Sequence, residues 1–449
     1  MKATQVRMTE GSIPDKIIRF AVPLFLGNLF QQLYNTADAL IVGNLLGDRS
    51  LAAVTSTGTL VFLLVGFFAG IFMGAGVVIS RYFGSRETEK MRKAVHNAIL
   101  FALISGGALT LIGTTLTPII LGWMGTPAEV MPQSVTYIRI YFAGSLGLSL
   151  YNSCMGIMQA VGDSRHPLYY LIISSVTNVC LDLLFIGVFG MGVDGAALAT
   201  ILAQFLSAGL CLRRLFRTKE DHRLVLREIR PDREMLRLIL RYGLPSGFQN
   251  SVIGFANVVV QSNINAFGSD AMAGCGSYAK VEGFVFLPIT AFTAAITTFI
   301  GQNLGAGEHE RAKRGARFGI FCAMALAELF GVILYFICPP VIRIFNSDPA
   351  VVAIGVSQMR TECFFFFALA FAHGVSAVMR GAGRARMPMF TMLACWCILR
   401  VTYITIAVKA IPVIETIFWA YPITWSVSCV VFLIYYLKAD WVHTFDRGA

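Results

Sequence analysis

Four polar side chains recur at helical spacing within an apolar stretch near the N-terminus of the chain. They are separated by three, four and three residues, and they are Asn28, Gln31, Asn35 and Asp38. An α-helix would carry all four on one face. An ionisable side chain inside a membrane is costly and marks a functional site by default. This polar stripe is therefore predicted to face other helices or a cleft rather than lipid, with Asp38 as its ionisable member.

Two later apolar stretches each carry a pair of polar side chains four residues apart. Asn178 and Asp182 form one pair, Thr200 and Gln204 the other, and each pair shares a helix face. If these helices meet that of Asp38, the cluster could hold Na⁺ or share a proton, because two close carboxylates do not both ionise cheaply without a cation. We predict a cation-coupling site made of Asp38, Asn178, Asp182 and Thr200. For the Thr200 hydroxyl, a hydrogen bond to its own helix is the alternative.

A second candidate site lies in the C-terminal half of the chain and consists of Lys280, Glu282 and Arg400. Lys280 and Glu282 are two residues apart, so they do not share a helix face. At least one of them needs a partner on another helix, and we expect Glu282 to pair with Arg400. A purely structural ion pair is the alternative interpretation.

Two further features concern helix shape and packing. Pro23 precedes the polar stripe, and a proline inside a helix removes a backbone hydrogen bond and bends the helix. A bend there could let Asp38 move with protonation, and a static kink is the alternative. Gly66, Gly70 and Gly74 recur every four residues, which predicts a close-packed helix–helix contact.

Composition identifies the elements that must position these residues. The chain has 449 residues, of which 56% are hydrophobic and 14% charged, whereas soluble domains have about 25% charged residues. The apolar residues fall into twelve blocks, each able to cross a bilayer as a helix of roughly 20 residues. The blocks lie near 17–45, 51–82, 94–117, 133–160, 167–189, 194–214, 238–266, 271–303, 316–338, 352–379, 388–410 and 414–437. The sequence predicts an all-α membrane protein with twelve transmembrane helices.

The two halves of the chain repeat one another. When the chain is aligned with itself, Pro23 matches Pro245, Asn28 matches Asn250 and Asn35 matches Asn257; after a single change of register, Gly47 matches Gly268, Gly84-Ser-Arg-Glu matches Gly305-Ala-Gly-Glu, and Gly162 matches Gly383. Six spans in each half make the repeats parallel. We therefore predict two pseudo-symmetric six-helix bundles with a central cleft, over residues 1–216 and 237–449, joined by a cytosolic linker over 217–236.

The acidic cluster belongs to the first half only. At the repeat positions of Asp38 and Asp182 the second half has Val260 and Tyr403. A passive channel would not need buried carboxylates confined to one half, and an ion-coupled transporter could use them as its switch.

The net charge of +11 reports membrane topology. Lys and Arg concentrate in the N-terminus, in alternate loops and in the C-terminus, which together hold 29 of the 36. By the positive-inside rule both termini are predicted to be cytosolic, so the protein is expected to be a multi-pass protein of the cell membrane. This distribution argues against a nucleic-acid partner.

The chain resembles the bacterial branch of the multidrug and toxic compound extrusion (MATE) family. The likeness covers nearly the whole chain and is carried by the stretch from Pro23 to Gly43, the Gly84/Gly305 pair of motifs, Asn178-Val-Cys-Leu-Asp182, Gly192-Val-Asp-Gly-Ala-Ala-Leu-Ala-Thr200, Tyr278-Ala-Lys-Val-Glu-Gly-Phe and Gly301-Gln-Asn-Leu-Gly305. The resemblance implies a V-shaped pair of six-helix bundles and cation-driven efflux of organic, often cationic, compounds. It also implies that Asp38, Asn178, Asp182 and Thr200 form the cation site and that the first helix bends at Pro23.

These observations predict a secondary antiporter that exports small organic, cationic compounds in exchange for Na⁺ or H⁺. A flippase of lipid-linked oligosaccharides is the alternative. Such relatives usually have extra spans and a strongly cationic cavity, whereas this chain is predicted to have twelve spans with few cationic residues inside the membrane. An enzyme is not expected, because the chain contains no His-Glu-x-x-His, Gly-x-Ser-x-Gly or phosphate-binding Gly-x-x-x-x-Gly-Lys-Ser/Thr motif. No cofactor beyond the coupling ion and no obligate protein partner is predicted.

Overall fold

The computed structural model describes residues 7–47, 50, 54, 58–123, 126 and 129–446, and within these ranges every regular element is a helix. The first half contains six long helical segments. They are α1 (Ile13–Leu46), α2 (Gly58–Ser85), α3 (Thr88–Trp123), α4 (Met131–Ala143 and Ser145–Ala160), α5 (Arg165–Asp182, continued by a π-helical turn, Leu183–Val188) and α6 (Val193–Arg217).

The second half contains six more. They are α7 (Arg233–Asn265), α8 (Ser269–Gly305), α9 (His309–Arg343), α10 (Pro349–Glu362 and Phe366–Gly381, joined by a 3₁₀ turn, Cys363–Phe365), α11 (Arg386–Met392 and Arg400–Ala410, joined by a π-helical turn, Leu393–Leu399) and α12 (Glu415–Lys438). These twelve helices coincide with the twelve apolar blocks, which confirms the predicted all-α fold. Nine of the helices in the described ranges are long and apolar enough to cross a membrane. The other three are α1, α4 and α7.

The repeat extends to backbone conformation. Three pairs of positions that are equivalent in the repeat have positive φ, and they are Gly47 (82°) with Gly268 (98°), Arg86 (60°) with Gly307 (74°), and Gly162 (88°) with Gly383 (74°). The break in α4 at Gly144 likewise corresponds to Phe365, where the 3₁₀ turn in α10 ends. Positive φ is sterically unfavourable for residues other than glycine. Arg86 nevertheless has the same turn geometry as Gly307.

The helices group into two compact units whose limits differ from the predicted bundles. Of the described residues, 26–247 belong to the first unit, and 8–25 and 248–446 belong to the second. The start of α1 thus belongs to the second unit, and the start of α7 and the whole linker belong to the first. The boundary between the units falls at Leu26 in α1 and at Phe248 in α7. These two positions are equivalent in the repeat, so the boundary has the same place in both halves.

The segment before α1 is held in the second unit by polar contacts to its backbone. The backbone carbonyl of Met8 accepts hydrogen bonds from Arg311 Nε (3.1 Å) and from Asn303 Nδ2 (3.2 Å), and Arg311 Nη1 donates to the carbonyl of Gly11 (2.7 Å). The backbone N–H of Met8 donates to Gln302 Oε1 (3.0 Å), and the Met8 side chain is completely buried. These contacts attach the segment before α1 to the second unit.

The linker before α7 packs on α3 of the first unit. The backbone N–H of Val225 donates to His96 Nε2 (3.0 Å), and that of Asp232 donates to Asn97 Oδ1 (2.9 Å). Arg92 forms an ion pair with Glu228. The linker is therefore a structured part of the first unit.

A buried histidine in this linker is expected to make stability depend on pH. Burial, reinforced by the nearby Arg214, lowers the pKa of His222 from 6.5 to about 4, although Asp163 acts in the opposite direction. The unfolded chain then binds a proton that the folded protein does not, so stability falls as the pH drops from 6.5 towards 4. The slope is about 1.4 kcal/mol per pH unit for one proton.

His222→Gln should reduce that dependence, because glutamine does not bind a proton. The measurement is the apparent unfolding temperature of the purified protein at pH 7 and pH 5. We expect a smaller drop in the variant than in the wild type. Parallel curves for the two proteins would contradict the burial of a neutral histidine.

Glycines bring α2 and α7 into backbone contact inside the first unit. A Cβ atom placed on Gly70 would lie 2.3 Å from the backbone nitrogen of Gly247, and one placed on Gly74 would lie 2.3 Å from that of Gly243. Real Cβ contacts are almost never so short. Two members of the predicted glycine face therefore lie at a helix crossing.

Candidate functional site

The first unit brings the two predicted carboxyl groups together. Asp38 on α1 and Asp182 at the end of the α-helical part of α5 lie close enough for their side chains to interact directly. Asp182 is completely buried, and Asp38 is half-buried. Two ionised carboxylates at close range repel each other, so this arrangement favours a proton or a cation on the pair.

Asn178 and Thr200 complete the connection between α5 and α6. With the oxygen and nitrogen of the Asn178 amide exchanged, the orientation that satisfies both neighbours, its nitrogen donates to Asp182 Oδ2 (3.0 Å) and its oxygen accepts the backbone N–H of Thr200 (3.2 Å). The hydroxyl of Thr200 donates to the carbonyl of Ala196 in the previous turn (3.0 Å), as the alternative interpretation of this residue anticipated. Asn178 and Thr200 are both buried, so the four residues of the predicted cation site lie in one place.

Three oxygen atoms of this cluster lack partners. Asp38 Oδ1, Asp182 Oδ1 and Gln204 Oε1 are inaccessible to solvent and make no hydrogen bond to any residue that the structure describes. A buried acceptor without a partner costs about 1–3 kcal/mol, so such groups call for an explanation. Carboxylate and amide oxygens are the donors that hard cations prefer, and a proton on a carboxyl would also satisfy one of them.

Three tyrosines surround the cluster, and the sequence analysis did not find them. Tyr34, one turn before Asp38 on α1, interacts with Thr200. Tyr137 and Tyr141 on α4 stack with ring centroids 6.3 Å apart, and the Tyr141 hydroxyl interacts with the Gln204 side chain. The spacing of four residues between Tyr34 and Asp38, and between Tyr137 and Tyr141, is the signal that could have revealed them.

The backbone of α5 changes character directly after Asp182, where the π-helical turn begins. Short π-helical segments within α-helices are frequent at functional sites. The turn widens the helix at the point where the acidic side chain meets α1 and α6.

Two of the other three members of the predicted polar stripe are exposed. These are Gln31 and Asn35, whereas Asn28 is half-buried. Pro23 is buried, and α1 continues through it as one helix from Ile13 to Leu46. The proposed movement of Asp38 about Pro23 stays a prediction.

The second unit contains a separate buried polar network. Arg400 on α11 donates to the Thr424 hydroxyl on α12 (3.0 Å) and lies 4.4 Å above the ring of Tyr421. Glu282 on α8 interacts electrostatically with Arg400, and the expected ion pair between them stays a prediction. Lys280 is exposed and lies over the ring of Phe345 at 5.4 Å, so the structure does not bring it to Glu282.

Glu362 on α10 is the member of this network that the predicted second site lacked. It is completely buried and accepts hydrogen bonds from the Tyr278 hydroxyl (2.6 Å) and from Gln358 Nε2 (2.9 Å). It also interacts with Arg400. Its carboxylate is paired on both oxygens, in contrast to the unpartnered oxygens in the first unit.

Twelve helices in two repeated sets of six, with two adjacent carboxyl groups in one set that each have an unpartnered oxygen, define a membrane transporter built on a parallel repeat. The MatE family model matches residues 23–184 and 245–406, and these two segments are the two halves of the internal repeat. The chain therefore belongs to the MatE family of multidrug and toxic compound extrusion transporters, a class of transport proteins without enzymatic activity.

Curated relatives and solved structures agree with this assignment. The chain is 29% identical over 398 residues to the probable multidrug resistance protein YoeA of Bacillus subtilis, with 87% of this chain and 86% of YoeA covered. It is 30% identical over 387 residues to YpnP of the same organism, another probable multidrug resistance protein, with 86% and 85% covered. An outward-facing multidrug resistance MATE transporter of the MOP superfamily superposes over the whole of both chains with a TM-score of 0.91 and 25% identity.

Proposed function

We propose that this protein is a secondary antiporter that exports small organic, cationic compounds in exchange for Na⁺ or H⁺. The observation that carries the proposal is the pair of buried carboxyl groups of Asp38 and Asp182, each with one unpartnered oxygen. The coupling cation would bind there, with Asn178 and Thr200 holding α5 against α6. No cofactor other than this ion is needed.

The energetics of two close carboxylates are large enough for coupling. Two unit charges about 4 Å apart repel by about 4 kcal/mol at the effective dielectric constant of partly buried sites. Losing the cation would therefore disfavour the contact of α1 with α5 by about a thousandfold in population. Cation occupancy would thus select between two packings of α1 in the first unit.

The network of the second unit supports a structural role better than a coupling role. Both oxygens of Glu362 are hydrogen-bonded, and Arg400 is held by Thr424 and Tyr421. We infer that Glu282 and Arg400 stabilise the contact of α8 with α11.

Efflux of drug-like compounds is favoured over transport of lipid-linked oligosaccharides. The relatives YoeA and YpnP are both described as probable multidrug resistance proteins. We further propose that both termini face the cytosol of a bacterial cell, because Lys and Arg concentrate in the termini and in alternate loops and such segments are usually cytosolic. Labelling of a cysteine introduced near either terminus by a membrane-impermeant reagent in intact cells would contradict this topology.

The test is dye transport by purified protein in vesicles with an imposed Na⁺ gradient or an imposed pH gradient, applied separately. A cationic dye such as ethidium should accumulate against its own gradient under one of the two ion gradients. Protein-free vesicles are the control. Movement of the dye only down its own gradient would identify a channel and contradict the proposal.

A further inference from the structure

A cluster of two histidines and one aspartate lies in the second unit, at the N-terminal end of α9 and beyond the C-terminal end of α12. His309 is the first residue of α9, and His443 and Asp446 belong to the segment that follows α12. One donor atom from each of the three lies within 4.8 Å of the others. The two imidazole rings meet edge to face with centroids 4.7 Å apart.

One nitrogen of this cluster has the environment of a metal ligand. His309 Nε2 is inaccessible to solvent and makes no hydrogen bond within the described part of the chain, although Asp446 Oδ2 lies 3.4 Å away. Two ligands bound tetrahedrally at about 2.0–2.1 Å from one metal ion are about 3.4 Å apart. The separation of these two atoms therefore fits a shared metal ion better than a direct hydrogen bond.

The second histidine is oriented by a carboxylate. His443 Nδ1 lies 2.7 Å from Asp440 Oδ1, so a proton on Nδ1 leaves the Nε2 lone pair free for a metal. Metal-binding histidines usually have such a partner, which sets the tautomer and the direction of the ring.

The C-terminal segment is held in place independently of any metal. Trp441 and Phe445 are buried, and Trp441 stacks on Tyr436 with centroids 5.6 Å apart. Arg384 Nε donates to the Thr444 hydroxyl (2.9 Å). The donors on this segment are thus positioned in advance, which lowers the entropic cost of assembling a site.

We propose that His309, His443 and Asp446 bind a divalent transition metal ion of the zinc class, with Asp440 as the positioning residue. Two imidazole nitrogens and one carboxylate suit Zn²⁺ and its neighbours, whereas Mg²⁺ and Ca²⁺ require oxygen ligands. Three protein ligands leave a fourth position for water. The bound ion would join the C-terminal segment to the start of α9, and the site does not depend on the proposed antiport.

The test is metal binding by the purified full-length protein without an affinity tag. Competition with a chromophoric chelator should give one Zn²⁺ per chain, and Co²⁺ should show the visible absorption of a four-coordinate ion with nitrogen and oxygen ligands. His309→Ala and His443→Ala should each weaken binding at least tenfold, and Asp440→Asn by roughly ten- to a hundredfold. Mg²⁺ should not compete.

A matched control exists elsewhere in the chain. His166 Nδ1 lies 2.7 Å from Asp163 Oδ2, with the same three-residue spacing as Asp440 and His443, and no metal cluster in the described ranges includes it. His166→Ala should bind Zn²⁺ like the wild type. If the double variant His309→Ala/His443→Ala bound Zn²⁺ as tightly as the wild type, the proposal would be overturned. Co²⁺ absorption typical of cysteine ligands would overturn it as well.

Discussion

Replacing Asp38 with asparagine is expected to abolish ion-driven efflux while leaving a folded, membrane-inserted protein. Asparagine keeps the size and one acceptor oxygen of the side chain, but it can neither bind a proton nor repel Asp182. The coupling energy of about 4 kcal/mol would disappear, which corresponds to a loss of about a thousandfold in the cation-dependent bias. The measurement is uphill dye transport in vesicles, with yield and unfolding temperature as checks on folding.

Two further variants make this prediction specific. Thr36 lies on the same helix and is exposed, and its hydroxyl donates to the backbone carbonyl of Gln32. Thr36→Ala should therefore transport like the wild type. Asp182→Asn should act like Asp38→Asn, and the double variant should be no worse than either, because residues that act as one unit are not additive. Wild-type pumping by Asp38→Asn would contradict the role of this carboxyl group.

Gly74→Ala is expected to destabilise the protein strongly. The added Cβ would lie 2.3 Å from the backbone nitrogen of Gly243 and 2.8 Å from the carbonyl oxygen of Ile239, and backbone atoms cannot rotate away as a side chain can. Forcing extra volume into packed interiors costs typically about 1–3 kcal/mol and occasionally more. With α2 and α7 both required to move, we expect the upper part of that range, seen as a lower unfolding temperature and a lower yield of monodisperse protein.

Gly107→Ala is the matched control. Gly107 lies inside α3, and a Cβ atom there would meet nothing within 4 Å. Alanine is favoured over glycine inside a helix by about 1 kcal/mol, so this variant should be as stable as the wild type or more so. If Gly74→Ala were equally stable, the close approach of α2 and α7 would not exist in the protein.

The sequence allowed the helices and the faces of their polar residues to be predicted, because both depend on local periodicity. The spacing of Asn178 and Asp182 placed them on one face of α5. Their meeting with Asp38 could be stated only as a condition, since the angle between helices depends on packing over the whole unit. Tyr137 and Tyr141 were missed for a related reason, because a tyrosine within an apolar span resembles any other aromatic residue of a helix interior.

The limits of the two units were beyond local reasoning. The contacts that assign the start of α1 to the second unit join Met8 to Arg311, far along the chain in the second half. No periodic pattern records such a contact. The second polar network shows the same limit, because spacing separated Lys280 from Glu282 but gave no reason to include Glu362 or Tyr278.

Cation release on substrate binding tests the central claim most directly. An organic cation that the wild type exports is added to purified protein in weakly buffered solution, and released H⁺, or radioactive Na⁺ from preloaded protein, is measured. The two ligands should oppose each other reciprocally, so the wild type should release a cation and Asp182→Asn should release none. Equal release from both proteins, or binding of the organic cation by the wild type without any release, would contradict coupling at the carboxyl pair of Asp38 and Asp182.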